Sequence, residues 1–202
     1  MLYVIPMSYH IYQTEGLVLR GLPYREADRS LRILTPDLGL IDASASGVRL
    51  EKSKLRYSLQ EFSHSSISLV RGKAGWRVTS AALRHDFFSE FRPACRKLKL
   101  AARILALLLR LVNGEEANPE LFALVMDGLK FLSTVPESSL ANAECLIVLR
   151  MLRHLGYIGD SSEKLEGLLA SSVWTDTELG VLASHRRDAV AIINAALKET
   201  QL

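Results

Sequence analysis

Hydrophobic and polar residues alternate in the middle of the N-terminal half of the chain. Ile41, Ala43 and Ala45 occupy every second position, and Asp42 and Ser44 lie between them. A period of two is typical of a strand that buries one face and exposes the other. The pattern therefore predicts a half-buried strand over residues 40–48.

A helical spacing follows this strand, after Gly47. Leu55, Leu59 and Phe62 are four and three residues apart, which fits one face of a short helix. Four cations share the stretch: Arg49, Lys52, Lys54 and Arg56. All except Lys54 are spaced for a second face of that helix. Such a cluster suits an anionic polymer, and a solvated basic surface without a partner is the competing interpretation.

Four more strands are predicted, over residues 11–20, 30–35, 63–70 and 76–83. The chain order is then three strands, a short helix and two strands. This order is typical of the oligonucleotide-binding barrel, the OB-fold. An SH3-like small barrel is the rival architecture, and the position of the helix favours the OB-fold.

Beyond residue 86 the apolar spacing changes to that of helices. Leu98, Leu105 and Val112 belong to one apolar stripe, and further helices follow. Thr175 and Glu178 fit a capping box at the start of one of them. We therefore predict an α+β protein with a five-stranded OB-fold barrel domain over residues 1–86 and an all-α helical domain over residues 87–202.

Composition and motifs limit the classes of function. The 202 residues are 49% hydrophobic and 23% charged, as in an ordinary globular protein. The apolar run Ile104–Leu109 is far shorter than the roughly 18 residues of a membrane span. The opening MLYVIP lacks the basic region of a signal peptide, so we expect no membrane association and a cytoplasmic protein.

Enzymatic and metal chemistry find little support in the sequence. Nucleophile-elbow, zinc-protease and phosphate-loop motifs are missing, so we expect a non-enzymatic protein without a cofactor. Cys95 and Cys145 stand alone, which argues against a disulfide framework or a metal site. Both cysteines fall within apolar helical patterns, so we expect them to be buried.

The charge distribution points to nucleic acid. Residues 1–86 contain 12 Lys and Arg against 8 Asp and Glu, whereas residues 87–202 contain 13 against 14. Basic grooves with aromatic stacking platforms bind single strands. Tyr24, in a proline-containing loop, is the best exposed platform, with Tyr57 as another candidate, whereas Phe62 and Trp76 are expected in the core. The candidate cations are Arg20, Arg25, Arg49, Lys52, Lys54, Arg56, Arg71, Lys73 and Arg77.

Several blocks between Tyr12 and Leu83 resemble the bacterial RecO family of recombination mediators: TEGLVL, EADRSL, LTPDLG and GVRLEKSKLR. The resemblance implies an OB-fold followed by a helical domain. It also implies binding of single- and double-stranded DNA, annealing of complementary strands and recombinase loading. The expected partners are a RecR-like protein and single-strand-binding protein. A groove edged by Arg96, Lys97, Arg150 or Arg153 would receive the acidic tail of the latter.

The sequence departs from the family in the helical domain. Many members carry four cysteines there as a zinc site, and the matching region, residues 157–178, contains none. The chain is also short for the family, and MLYVIP precedes the usual start, so Met7 is a candidate initiator. A protein–protein scaffold with an incidental basic cluster is the alternative function, and a nucleic-acid enzyme would need carboxylate pairs or a metal site.

Overall fold

The computed structural model describes residues 10–159 and 165–199. The chain forms two compact units, the first running to Phe87 and including Gly114–Asn118. The second comprises Phe88–Asn113 and the chain from Pro119 onwards. Met7, the candidate initiator, lies outside the described residues.

The first unit is a closed barrel of five strands in the order β1-β2-β3-β5-β4. A short helix, α1, connects β3 to β4, and β3 pairs with β5 in parallel while the other pairs are antiparallel. This is the OB-fold, and the predicted fold class is confirmed. The bounds are β1 (Ile11–Tyr24), β2 (Asp28–Thr35), β3 (Gly39–Ala45), α1 (Leu55–Ser58), β4 (Ser63–Gly72) and β5 (Gly75–Asp86).

Alternation along the strands fills the barrel. Ile41, Ala43 and Ala45 are buried in the core, and Asp42 between them is exposed, as the period of two predicts. Trp76, opposite Ala43 on β5, is also buried. The barrel therefore has an apolar interior and an outward-facing set of polar side chains on the same strands.

Two local predictions for this unit are wrong. Helix α1 spans only four residues, because the chain after Gly47 forms successive turns in which Leu50 N–H donates to Gly47 O and Ser53 N–H donates to Leu50 O. Arg49 and Lys52 therefore precede the helix and do not share a helical face with Arg56. Strand β1 also extends to Tyr24, which ends a strand and does not lie in a loop.

A segment from between two helices completes the barrel unit, and we call Gly114–Asn118 the strap. Leu40 N–H donates to Gly114 O at 3.2 Å, and Asn118 N–H donates to Pro36 O at 3.1 Å. Gly39 has φ +68°, and a side chain there would collide with the backbone of Glu116. The strap thus closes over the β2–β3 hairpin.

The second unit is helical, as predicted. Helix α5 is its centre, with ten buried residues and contacts to α3, α4, α6, α7 and α8. The predicted capping box is present, with Glu178 accepting a hydrogen bond from Thr175 N–H at 3.2 Å. The helices are α2 (Phe87–Phe91), α3 (Cys95–Leu111), α4 (Pro119–Thr134), α5 (Leu140–His154), α6 (Glu166–Ala170), α7 (Asp176–Ser184) and α8 (Arg186–Glu199), with a 3-10 turn at Glu137–Ser139.

The two cysteines differ. Cys145 is buried, and desolvation raises the pKa of its thiol to about 11. Cys95 is exposed, so its predicted burial is wrong: it is the first residue of α3 and precedes the buried stripe of that helix. Across residues 10–159 and 165–199, no helix is both long and apolar enough to cross a bilayer.

Candidate nucleic-acid interface

Strand register places two rows of side chains on the outside of the barrel. Arg20 on β1 lies opposite Arg32 on β2, which lies opposite Asp42 on β3. Directly opposed residues project to the same face of a sheet. The inward neighbours Leu31 and Trp76 are buried, so these rows face outwards.

The second row runs parallel to the first. Leu22 lies opposite Ser30, Ser30 opposite Ser44, and Ser44 opposite Arg77 on β5. Tyr24 follows two residues after Leu22 on the same side of β1. We call this surface the outer face, defined by Arg20, Leu22, Tyr24, Ser30, Arg32, Asp42, Ser44 and Arg77.

Two loops border the outer face at the Tyr24 end. Arg25, in the β1–β2 loop, has φ +56°, and its guanidinium lies 5.1 Å from the centroid of the Tyr24 ring. Arg49, from the β3–α1 connection, donates through Nη1 to Glu26 O and through its backbone N–H to Ala27 O, both at 3.0 Å. These hydrogen bonds fix the β1–β2 loop against the next connection.

The β4–β5 hairpin carries Arg71 and Lys73. Nη1 of Arg71 lies 2.8 Å from Oε2 of Glu115 on the strap, and its guanidinium lies 5.0 Å from the centroid of the Trp76 ring. Arg71 is therefore already engaged by an acid and an aromatic ring, although its side chain remains 57% exposed.

The other candidate cations keep their charges unpaired. Within the described part of the chain, the following six are exposed and make no side-chain hydrogen bond or ion pair: Arg20, Lys52, Lys54, Arg56, Lys73 and Arg77. Their counterions are exchangeable for the phosphates of a polyanion. Arg56 lies on α1, and Lys52 and Lys54 lie just before it, whereas the outer face is formed by β1, β2, β3 and β5. The structure therefore brings together some predicted cations and not others.

All ten predicted site residues are exposed on the barrel unit. Arg20, Tyr24 and Arg77 lie on the outer face, Arg25 and Arg49 at its edge, and the remainder are the hairpin pair Arg71 and Lys73 and the α1-region cations Lys52, Lys54 and Arg56.

Arg32 is an outer-face cation that the sequence analysis missed. Its Nε lies 3.3 Å from Oδ1 of Asp42, and the two side chains are 37% and 68% exposed. The signal was the alternation of Ser30 and Arg32 with the apolar Leu31 and Ile33 along the predicted strand. Such alternation places Arg32 outside the barrel.

The four cations named as alternative edges of a peptide groove have different surroundings. Arg96 lies 3.5 Å from Glu137, and Lys97 donates to Ser133 O. Only Arg150 and Arg153 line a cavity of about 560 Å³, whose lining also includes the acids Glu120 and Asp127 and the ring of Trp174. Among the described residues, no group of three His, Cys, Asp or Glu side chains is placed to hold a metal ion.

Comparison with known proteins matches both units to one family. The family description "Recombination protein O N terminal" fits residues 7–87, and "Recombination protein O C terminal" fits residues 92–166. A DNA repair protein RecO of Dehalococcoides mccartyi is 36% identical over 131 residues, 65% of this chain and 51% of that protein. One of Heliobacterium modesticaldum is 34% identical over 158 residues, 75% of this chain and 54% of that protein. The chain thus spans about half the length of these relatives.

Proposed function

The chain belongs to the RecO family, and from this premise we propose that it is a non-enzymatic, DNA-binding mediator of recombinational DNA repair. It binds single- and double-stranded DNA through the barrel unit. The supporting observation is the set of exposed, unpaired cations on the outer face and the adjoining loops. OB-folds bind oligonucleotides through the face of strands 2 and 3 and the two flanking loops, and the outer face includes that region.

Charge neutralisation accounts for the annealing of complementary strands in this proposal. Two complementary strands repel each other through their phosphates, and cations that replace the counterions of both strands reduce this repulsion. Annealing follows from that reduction without a catalytic group. Loading of a recombinase would require a RecR-like protein and single-strand-binding protein as partners. We place this function in the cytoplasm, where the chromosome lies.

The direct test is a salt titration of binding to fluorescent single-stranded DNA, followed by anisotropy. If about five phosphates are contacted, the log–log slope is near −3.5, and affinity falls roughly 100-fold between about 50 and 200 mM salt. Salt-insensitive binding, or no binding, would favour a protein–protein scaffold.

Charge reversal then locates the contacts. Arg20→Glu with Arg77→Glu removes two outer-face cations and should make the log–log salt slope shallower by about 1.4. Reversing the charges of Lys52, Lys54 and Arg56 together should make it shallower by about 2.1. A matched control is Arg186→Glu with Arg187→Glu, two exposed arginines in the helical unit. Unchanged affinity in both barrel variants would defeat the proposal.

A further inference from the structure

Two large apolar side chains are exposed on the outer face. Leu22 is 50% exposed and Tyr24 46% exposed. They occupy alternate positions of β1, next to Arg20, so the three side chains project from one side of the strand. Beyond Leu17, β1 pairs only with β2 among the described strands, which leaves this end of the strand open.

A guanidinium lies beside the Tyr24 ring, and hydrogen bonds fix the loop that follows it. The Arg25 guanidinium lies 5.1 Å from the ring centroid, and the left-handed backbone of Arg25 turns the chain back into β2. The β1–β2 loop is fixed in turn by Arg49, through its hydrogen bonds to Glu26 and Ala27, and Gly47 N–H donates to Asp28 Oδ1 at 2.8 Å. A ring ordered in advance loses little conformational entropy when a ligand stacks on it.

The charges around this apolar pair indicate what it binds. Arg20 lies two residues away along β1, and Arg77 lies in the same row as Leu22, across Ser30 and Ser44. An apolar pair with one unpaired arginine beside it and a second in the same row matches a ligand with flat apolar groups on an anionic backbone. Unpaired nucleobases have accessible faces, whereas the bases of a duplex already stack on one another.

We propose that Leu22 and Tyr24 form a stacking platform for unpaired bases, and that this platform makes the chain bind single-stranded DNA in preference to duplex. The inference rests on the proposed DNA-binding function. It assigns the cations of the outer face to both kinds of DNA, since phosphates are common to both. It assigns the platform to the single strand alone.

The test compares single-stranded and duplex DNA of equal length at the same salt concentration, using the full chain. Tyr24→Ala should weaken single-strand binding by about 5- to 150-fold, the range for loss of one stacked base, and leave duplex binding unchanged. Tyr24→Phe, which retains the ring, should restore single-strand affinity. Tyr157→Ala is the matched control, because Tyr157 is a 36% exposed tyrosine of the helical unit.

A second readout reports stacking itself. A single strand containing 2-aminopurine should lose fluorescence when bound to the wild-type chain and to Tyr24→Phe, but not when bound to Tyr24→Ala or Leu22→Ala with Tyr24→Ala. An equal loss of affinity for both kinds of DNA in Tyr24→Ala, or no loss for either, would overturn the platform. A wild-type chain that binds neither kind of DNA would instead overturn the proposed function.

Discussion

Arg20 and Arg77 on the outer face and Arg150 at the centre of the helical unit differ in burial and in their partners. Arg20 and Arg77 are exposed, and no described side chain pairs with them. Arg150 on α5 is 3% exposed, and all three of its guanidinium nitrogens donate hydrogen bonds. The acceptors are Leu168 O at 3.1 Å, Val173 O at 2.6 Å and Glu178 Oε1 at 2.6 Å.

The comparison shows that a buried charged side chain needs partners, whereas an exposed one does not. Desolvation lowers the pKa of Arg150, and the carboxylate of Glu178 opposes that shift. The guanidinium also lies 4.4 Å from the centroid of the Trp174 ring, so both its plane and its edges have partners. Arg150 thereby joins α5 to α6, to α7 and to the connection between them. Arg20 and Arg77 are exposed and need no such partners, and their charge remains available to a ligand.

The largest expected effect is on stability and comes from breaking the buried pair. Arg150→Met should lower the free energy of unfolding by about 3–5 kcal/mol, because Glu178, with a side chain 13% exposed, loses its partner. Urea denaturation measures this loss. Adding Glu178→Gln to Arg150→Met should recover part of it, since no unpaired charge then remains buried.

The control for this prediction comes from the barrel. Arg20→Ala with Arg77→Ala should leave the urea midpoint nearly unchanged, since exposed residues without partners contribute little to stability. If the outer-face variant lost as much stability as Arg150→Met, the distinction between the two regions would be wrong.

A smaller effect is expected at Arg71, a predicted site cation with an acidic partner. Glu115→Gln removes the exposed pair with Arg71 and should cost at most about 1 kcal/mol of stability. It should also release Arg71 for a phosphate and steepen the salt slope of single-strand binding by about 0.7. Glu116→Gln on the same strap is the control. Identical slopes for the two variants would show that Glu115 does not compete with DNA.

The smallest effect concerns His64, which lies between the two extremes of burial. Its Nε2 is 3.1 Å from Oε2 of Glu15. Burial lowers the pKa of His64, Glu15 opposes the shift, and Arg84 and His85 add to it. Because the folded pKa is below the ordinary 6.5, the unfolded chain binds more protons in the interval between the two values.

The contribution of neutral His64 to the free energy of unfolding is therefore fully present above about pH 6.5, and it is lost as the pH falls through the folded pKa of His64. Urea midpoints measured from about pH 8 to pH 5 should decrease less in His64→Gln than in the wild type. His10→Gln, at an exposed position of the same unit, should retain the wild-type dependence. Equal curves for His64→Gln and the wild type would contradict this assignment.

The fold could be predicted from the sequence because the patterns that indicate it are local. The alternation around Ile41 and the change to helical spacing after residue 86 report burial over a few neighbouring residues. The failures are also local. The apolar spacing of Leu55 and Leu59 fits a helix, but turns following Gly47 occupy most of the preceding segment. At Cys95, apolar neighbours did not reveal that the residue lies at the helix start, outside the buried stripe.

The candidate site was harder to predict, because its arrangement depends on the register between strands that are distant in the sequence. Arg20 and Arg77 share a face only through the pairing of β1, β2, β3 and β5. Exposure of each cation followed from residue type alone, since Lys and Arg are rarely buried. Arg150 is an exception to that rule, and its three acceptors lie 18 to 28 residues further along the chain.

The strap has a practical consequence for work on separate fragments. Because Gly114–Asn118 belongs to the barrel unit, the polypeptide passes between the two units three times. A fragment ending at Phe87 would leave the N–H of Leu40 and the carbonyl of Pro36 without their acceptor and donor on the strap. Stable expression of the barrel by itself would therefore require the strap to be grafted back, for example as a linked C-terminal extension.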